Sequence, residues 1–156
     1  MFIHTTSHKQ LTNVRRINIS IMNRRRKTQK IISYYESGHV LLIAWIKNGK
    51  HYRPGGAPAS IEYFKNGEIQ TEEWFKNGKH YRHGGAPAVI RYFNSGQIQC
   101  KTWYKDGKFH RNDGAPAILF YYKTGHIEYE AWYKNGKERR VVTYSENGTV
   151  KGKKRY

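Results

Sequence analysis

Residues 74–102 read WFKNGKHYRHGGAPAVIRYFNSGQIQCKT, and the 29 residues on either side are nearly the same text. The preceding copy, WIKNGKHYRPGGAPASIEYFKNGEIQTEE, starts at Trp45, and the following one, WYKDGKFHRNDGAPAILFYYKTGHIEYEA, starts at Trp103. Trp45, Trp74, Trp103 and Trp132 therefore stand 29 residues apart with no insertion. A period of this size marks units that cannot bury an apolar face alone and become stable by stacking on their neighbours. Such an array offers an extended surface rather than one catalytic pocket.

Each unit carries two turn signals between runs of alternating β-type residues. The first is Asn48-Gly49, Asn77-Gly78, Asp106-Gly107 and Asn135-Gly136. Asn and Asp tolerate positive φ and Gly prefers it, which predicts a two-residue type I′ hairpin. Counting outward sets Trp74 opposite Tyr81 and Trp103 opposite His110. The second signal is Ser37-Gly38, Asn66-Gly67, Ser95-Gly96, Thr124-Gly125 and Asn147-Gly148. Read as another two-residue loop, it predicts Phe64 opposite Ile69 and Tyr63 opposite Gln70, with Tyr35–Val40, Phe93–Ile98 and Tyr122–Ile127 as equivalents of the first pair. No apolar run recurs at helical spacing. The expected fold is all-β: tandem 29-residue hairpin repeats forming a twisted antiparallel meander sheet.

Upstream, residues 31–44 reproduce the second half of a unit. Downstream, the copy from Trp132 is six residues short, because it lacks the HRxxGAPA stretch. Atypical end copies are what caps look like. The expected organisation is a basic N-terminal arm over residues 1–30, a repeat domain over 31–150 and a basic tail over 151–156.

Charge separates the arms from the array. The chain carries 29 Lys and Arg against 11 Asp and Glu, a net +18. Residues 1–30 hold eight basic and no acidic residues, and residues 134–156 hold eight basic and two acidic. Arg24-Arg25-Arg26-Lys27 and the run Lys151, Lys153, Lys154, Arg155 are the densest segments. Basic arms gain affinity for polyanions through counterion release, steeply dependent on salt and little on sequence; the same arms also serve to keep an aromatic-rich sheet soluble. A tetrabasic cluster fits a nuclear import signal, and an acid-free N-terminus fits a transit peptide, although Ile17, Ile19 and Ile21 alternate like a strand.

Within the units, Arg53, Arg82 and Arg111 recur at one position, so stacking aligns them in a row. Rows of arginine bind phosphates or carboxylates, and they also cap carbonyls of a neighbouring loop or stack on a Tyr. Trp45, Trp74, Trp103 and Trp132, with Gly49, Gly78, Gly107 and Gly136, are the expected structural positions. An aromatic content of 15% covers a thin sheet or offers a stacking platform. One cysteine, Cys100, excludes an intramolecular disulfide and a Cys-based zinc site. The eight histidines show no ligand spacing. No P-loop, nucleophile elbow or dinucleotide fingerprint occurs, so no catalytic, metal or cofactor residue is expected. No apolar run is long enough to span a bilayer, and the expected location is intracellular, in cytoplasm, nucleus or virion.

The units resemble MORN-type repeats, in particular the longer WYxxGKxHRxxGPAxIxYYxxG form found in large DNA viruses of amoebae and, in shorter form, in bacterial antitoxin-like proteins. The resemblance runs from Ile31 to Lys151, and Trp103-Tyr104-Lys105-Asp106-Gly107-Lys108-Phe109-His110-Arg111 fits best. Tyr52 and Tyr81 depart from it, standing where the pattern has His, and the loops read GAPA instead of GPA. The resemblance implies a hairpin array for assembly or docking, without enzyme activity. The expected function is an interaction or structural module that docks through its basic arms on an acidic partner, and the alternative is a sequence-nonspecific nucleic-acid binder in which the arms and the row of Arg53, Arg82 and Arg111 form one track. Expected partners are a protein, a second copy or, through the arms, nucleic acid, with an acidic membrane less favoured. An antitoxin-like role would need a partner toxin.

Overall fold

The computed structural model describes residues 15–17 and 28–156. Its first turn type is the expected one. Asn77 and Gly78 both have positive φ, 54° and 77°. Phe75 pairs with His80 and Lys76 with Lys79 across them. The Tyr81 N–H reaches the Trp74 carbonyl at 3.0 Å, and the His110 N–H reaches that of Trp103 at 3.1 Å.

The second turn corrects the expected register. Tyr63 pairs with Ile69, not with Gln70. Phe64 faces Glu68, its N–H donating to that carbonyl at 2.8 Å, while the Gly67 N–H donates to the Phe64 carbonyl at 3.0 Å. The loop thus holds three residues, and only Gly67 among them has positive φ, at 87°. This is a type I turn closed by a glycine bulge. The same shift gives Tyr34–Val40, Tyr92–Ile98 and Tyr121–Ile127. The physical reason lies in the residue before the glycine. It does not enter the left-handed region, so Ser and Thr fill it as well as Asn does.

The strands follow from these two turns. β1 (Arg15–Ile17), β2 (Thr28–Tyr34), β3 (Val40–Lys47) and the short β4 (Lys50–His51) open the sheet. One full unit then contributes β5 (Ser60–Tyr63) and β6 (Ile69–Glu73), followed by the small hairpin β7 (Phe75–Lys76) and β8 (Lys79–His80). The next repeats this with β9 (Val89–Tyr92), β10 (Ile98–Thr102), β11 (Tyr104–Lys105) and β12 (Lys108–Phe109). β13 (Ile118–Tyr121), β14 (Ile127–Lys134), β15 (Lys137–Tyr144) and β16 (Val150–Arg155) complete the chain. The main sheet runs β1-β2-β3-β5-β6-β9-β10-β13-β14-β15-β16, antiparallel throughout and open at both ends. β7–β8 and β11–β12 stand off it as two-stranded ribbons.

The core is a line of small residues rather than a layer of large ones. Ala59, Ala88 and Ala117, the last alanines of the three GAPA stretches, are at most 1% exposed. Each hydrogen-bonds between two successive units, as when the Trp74 N–H donates to the Ala88 carbonyl at 2.9 Å and the Ala88 N–H to Thr102 at 2.8 Å. Trp74, Trp103, Val89, Ile118, Leu119, Cys100 and Val142 are buried alongside them.

Residues 151–156, expected as a tail, extend the sheet as most of β16 plus Tyr156, and every residue of β16 is exposed. Its partner is β15, in the register Val142–Lys153, Val141–Lys154 and Arg140–Arg155. Lysines on a last strand discourage a further strand from pairing. Among the described residues no helix is long and apolar enough to cross a membrane.

Candidate functional site

The three aligned arginines lie flat on tryptophans. The guanidinium carbon of Arg53 is 3.6 Å from the Trp45 ring centroid, that of Arg82 3.7 Å from Trp74, and that of Arg111 4.2 Å from Trp103. Arg140 adds a fourth pair, 4.4 Å from Trp132. A planar delocalised cation suits the negative face of an indole, worth about 0.5–2 kcal/mol depending on desolvation. The first three arginines also cap their own loops, Nη1 donating to the carbonyls of Pro58, Pro87 and Pro116 at 3.1, 3.5 and 3.4 Å. The row thus caps carbonyls and stacks on rings, but the carbonyls belong to each arginine's own loop rather than a neighbouring one, and the rings are Trp rather than Tyr. Arg140 escaped the sequence reading because its copy has no HRxxGAPA loop. The signal was the interval from Trp to Arg, eight residues in all four copies.

The tryptophans in turn hold the preceding loop. The Trp74 indole N–H donates to the Gly56 carbonyl at 2.9 Å, and that of Trp103 to Gly85 at 2.8 Å. Loop, indole and arginine thereby interlock from one copy to the next. Between them lie two open notches. One, of about 370 Å³, lies between Arg53 and Arg82 over Trp74. The other, of about 250 Å³, lies between Arg82 and Arg111 over Trp103. Nine wall positions recur 29 residues apart, with Lys76 in the first answered by Lys105 in the second, and the second adds Tyr81 and Asp113.

The rims are aromatic and basic. Tyr81, 36% exposed, lines both with the Lys76 ammonium 5.0 Å from its ring, while Tyr52, 37% exposed with Lys47 at 5.1 Å, repeats the pair outside them. His110, at the equivalent position, is instead tied down, with Nε2 against Asn112 Oδ1 at 2.8 Å and Nδ1 accepting the Asn135 N–H at 3.1 Å. The third copy differs once more. Asp113 replaces the loop glycine Gly84 and accepts the Arg111 Nε–H at 2.9 Å. The Ala115 N–H and Arg111 hold its carboxyl below the ordinary range.

Beside the notches runs a file of rings. His51, Phe75, His80, Tyr104, Phe109 and Tyr133 follow one another with centroids 4.5–5.3 Å apart. His51 and Phe75 are stacked and the later pairs are tilted by 30–51°, so these rings pack on one another. Glu73 meets His80 within the file at 3.1 Å.

The remaining sequence candidates lie elsewhere. Lys151, Lys153, Lys154 and Arg155 are exposed on β16, and Arg155 shares a row with Arg140 and Trp132. Arg24, Arg25, Arg26 and Lys27 lie outside the described residues. Gly49, Gly78, Gly107 and Gly136 occupy the positive-φ turn positions. Cys100 is buried, and burial pushes its thiol up to about 12, so it is protonated and unreactive at neutral pH. Among the described residues no three His, Cys, Asp or Glu side chains gather as a metal site would require. No family model, no curated protein and no solved structure matches the chain.

Proposed function

We propose that this chain is a non-enzymatic docking module, a MORN-like repeat array that binds an acidic partner along its basic, arginine-studded face. The observation that carries the reading is the recurrence of one notch at equivalent positions in successive copies, each walled by two arginines and floored by an indole. A surface that repeats itself suits a ligand that repeats itself. The meander, the positive-φ Asn-Gly turns and the Trp-to-Arg interval support kinship with MORN-type repeats. The viral and intracellular setting belongs to the same proposal.

The test is equilibrium binding of fluorescent polyglutamate and of single-stranded oligodeoxythymidylate to the full chain, at low and moderate salt. Saturable binding of polyglutamate that weakens as salt rises supports an acidic protein partner. The absence of binding by either polyanion would sink the docking reading. Nucleic acid is the second reading, favoured by the face that Arg140 and Arg155 share at the C-terminal edge of the sheet. Replacing Lys151, Lys153, Lys154 and Arg155 by Gln separates the two, since the second reading requires oligonucleotide affinity to fall while polyglutamate affinity holds.

A further inference from the structure

Asp113 shows what the arginines of the row accept. In the third copy the loop itself supplies a carboxylate, which takes the Nε–H of Arg111 at 2.9 Å while Nη1 stays on the Pro116 carbonyl and the guanidinium stays over Trp103. The first two copies have Gly55 and Gly84 in that place, so Arg53 and Arg82 keep the same donor edge without an acid from their own loops. The geometry of Arg111 is thus an internal picture of a carboxylate bound to the Arg–Trp unit. Bonds of this charge-assisted kind are about twice as strong as neutral ones.

The spacing of the row restricts the ligand further. Each copy adds two strands, so equivalent positions advance by about 9.5 Å. The ring file agrees, since His51 to Phe75 and Phe75 to His80 are steps of 4.5 Å each. A β-strand brings a side chain back to one edge every two residues, about 6.7 Å, and is out of step. A polyproline II helix does so every three residues, about 9.3 Å, and matches. Duplex nucleic acid carries its charges at about 3.4 Å per strand and would gain nothing from such a period. The exposed Tyr81, which lines both notches, adds an aromatic rim on which proline rings pack.

We propose that the notches bind a segment in polyproline II conformation with an acidic residue at every third position, its carboxylates seated on Arg53 and Arg82, and that Asp113 closes the third seat. This rests on the docking reading above and goes beyond it by naming the conformation and the register. The array then recognises an acidic, proline-rich stretch of another protein, and its two open seats set a minimum ligand of four residues.

The experiment is fluorescence anisotropy with the full chain and three labelled probes: a (Glu-Pro-Pro)4 peptide, its isomer with the four glutamates contiguous, and a 12-residue oligodeoxythymidylate. The period-three peptide is expected to bind about tenfold tighter than its isomer, and R82A and R82K each to weaken it by about tenfold, the loss of one charge-assisted hydrogen bond. R82K guards against a folding defect in R82A. D113N keeps the acceptor for the Ala115 N–H and frees Arg111, so it should tighten (Glu-Pro-Pro)4 by about three- to tenfold. Equal affinity for the two isomers would overturn the register while leaving the docking reading intact. Tighter oligonucleotide binding with the same dependence on Arg82 would replace the peptide by nucleic acid. No binding of any probe would overturn both this inference and the reading beneath it.

Discussion

Trp74 lies between two copies and is claimed by both: its indole N–H donates to the Gly56 carbonyl at 2.9 Å, and Arg82 covers its face at 3.7 Å. A residue so placed couples neighbouring units, and the stability of such an array is a sum of unit and interface contributions. Replacing Trp74 by Phe keeps a ring for Arg82 and removes the donor. The Gly56 carbonyl then loses its indole partner, and urea unfolding should show a loss of about 1–2 kcal/mol. A loss below about 0.3 kcal/mol would mean that water replaces the indole at no cost.

Ala88 is 1% exposed in the row where indole and loop meet. Its backbone bonds Trp74 on one side and Thr102 on the other, so a longer side chain would have to open this seam. Ala88→Leu is therefore expected to cost about 1–3 kcal/mol through overpacking. Ala86→Leu, two residues away and half-buried in the same loop, is the control and should cost less. If both changes cost the same, the alanine row is not the tight seam of the sheet.

The two glycine turns make opposite demands on the residue before the glycine. Asn77 has φ of 54°, in a region costly to residues other than Gly, Asn and Asp. Asn66 has no such φ, and its Oδ1 accepts the Glu68 N–H at 3.2 Å, where the hydroxyls of Ser37 and Ser95 at the same position bond His39 Nδ1 and Gln97 Oε1 instead. Asn77→Ser should lower stability by about 1 kcal/mol, and Asn66→Ser should be near neutral. Equal effects on thermal unfolding would contradict the turn assignment.

That contrast also marks where sequence reasoning succeeded and where it failed. Asn-Gly, Asp-Gly and the Trp period announce the repeat, the hairpins and the register around Gly78 without coordinates. The register around Gly67 was misread because glycine was given a partner at positive φ, although Ser37, Ser95 and Thr124 at that position argue for a right-handed residue. The arginine row was legible as a row. Its seating on indoles was not, since nothing in the linear text says which face a loop folds over. The notches depend on that folding and so appear only in three dimensions.

Glu73 and His80 tie the ring file to the sheet, Oε1 to Nε2 at 3.1 Å. Burial alone would raise the Glu73 carboxyl, but the hydrogen bond and charge of His80, then the Ser60 hydrogen bond and the charge of His51, bring it below the ordinary 4.5. A carboxyl depressed in the folded state contributes stability that is fully present above its unfolded value and lost as pH falls through the folded one. Stability should therefore decline as pH drops below about 4.5, on top of the general acid loss from other carboxylates. Glu73→Gln removes this contribution, so its unfolding free energy against pH should be flatter in that window than that of the unaltered chain. His80→Gln should flatten it as well, because the depression comes from His80. Parallel curves for all three proteins between pH 5 and pH 3 would show that the pair adds nothing to folding.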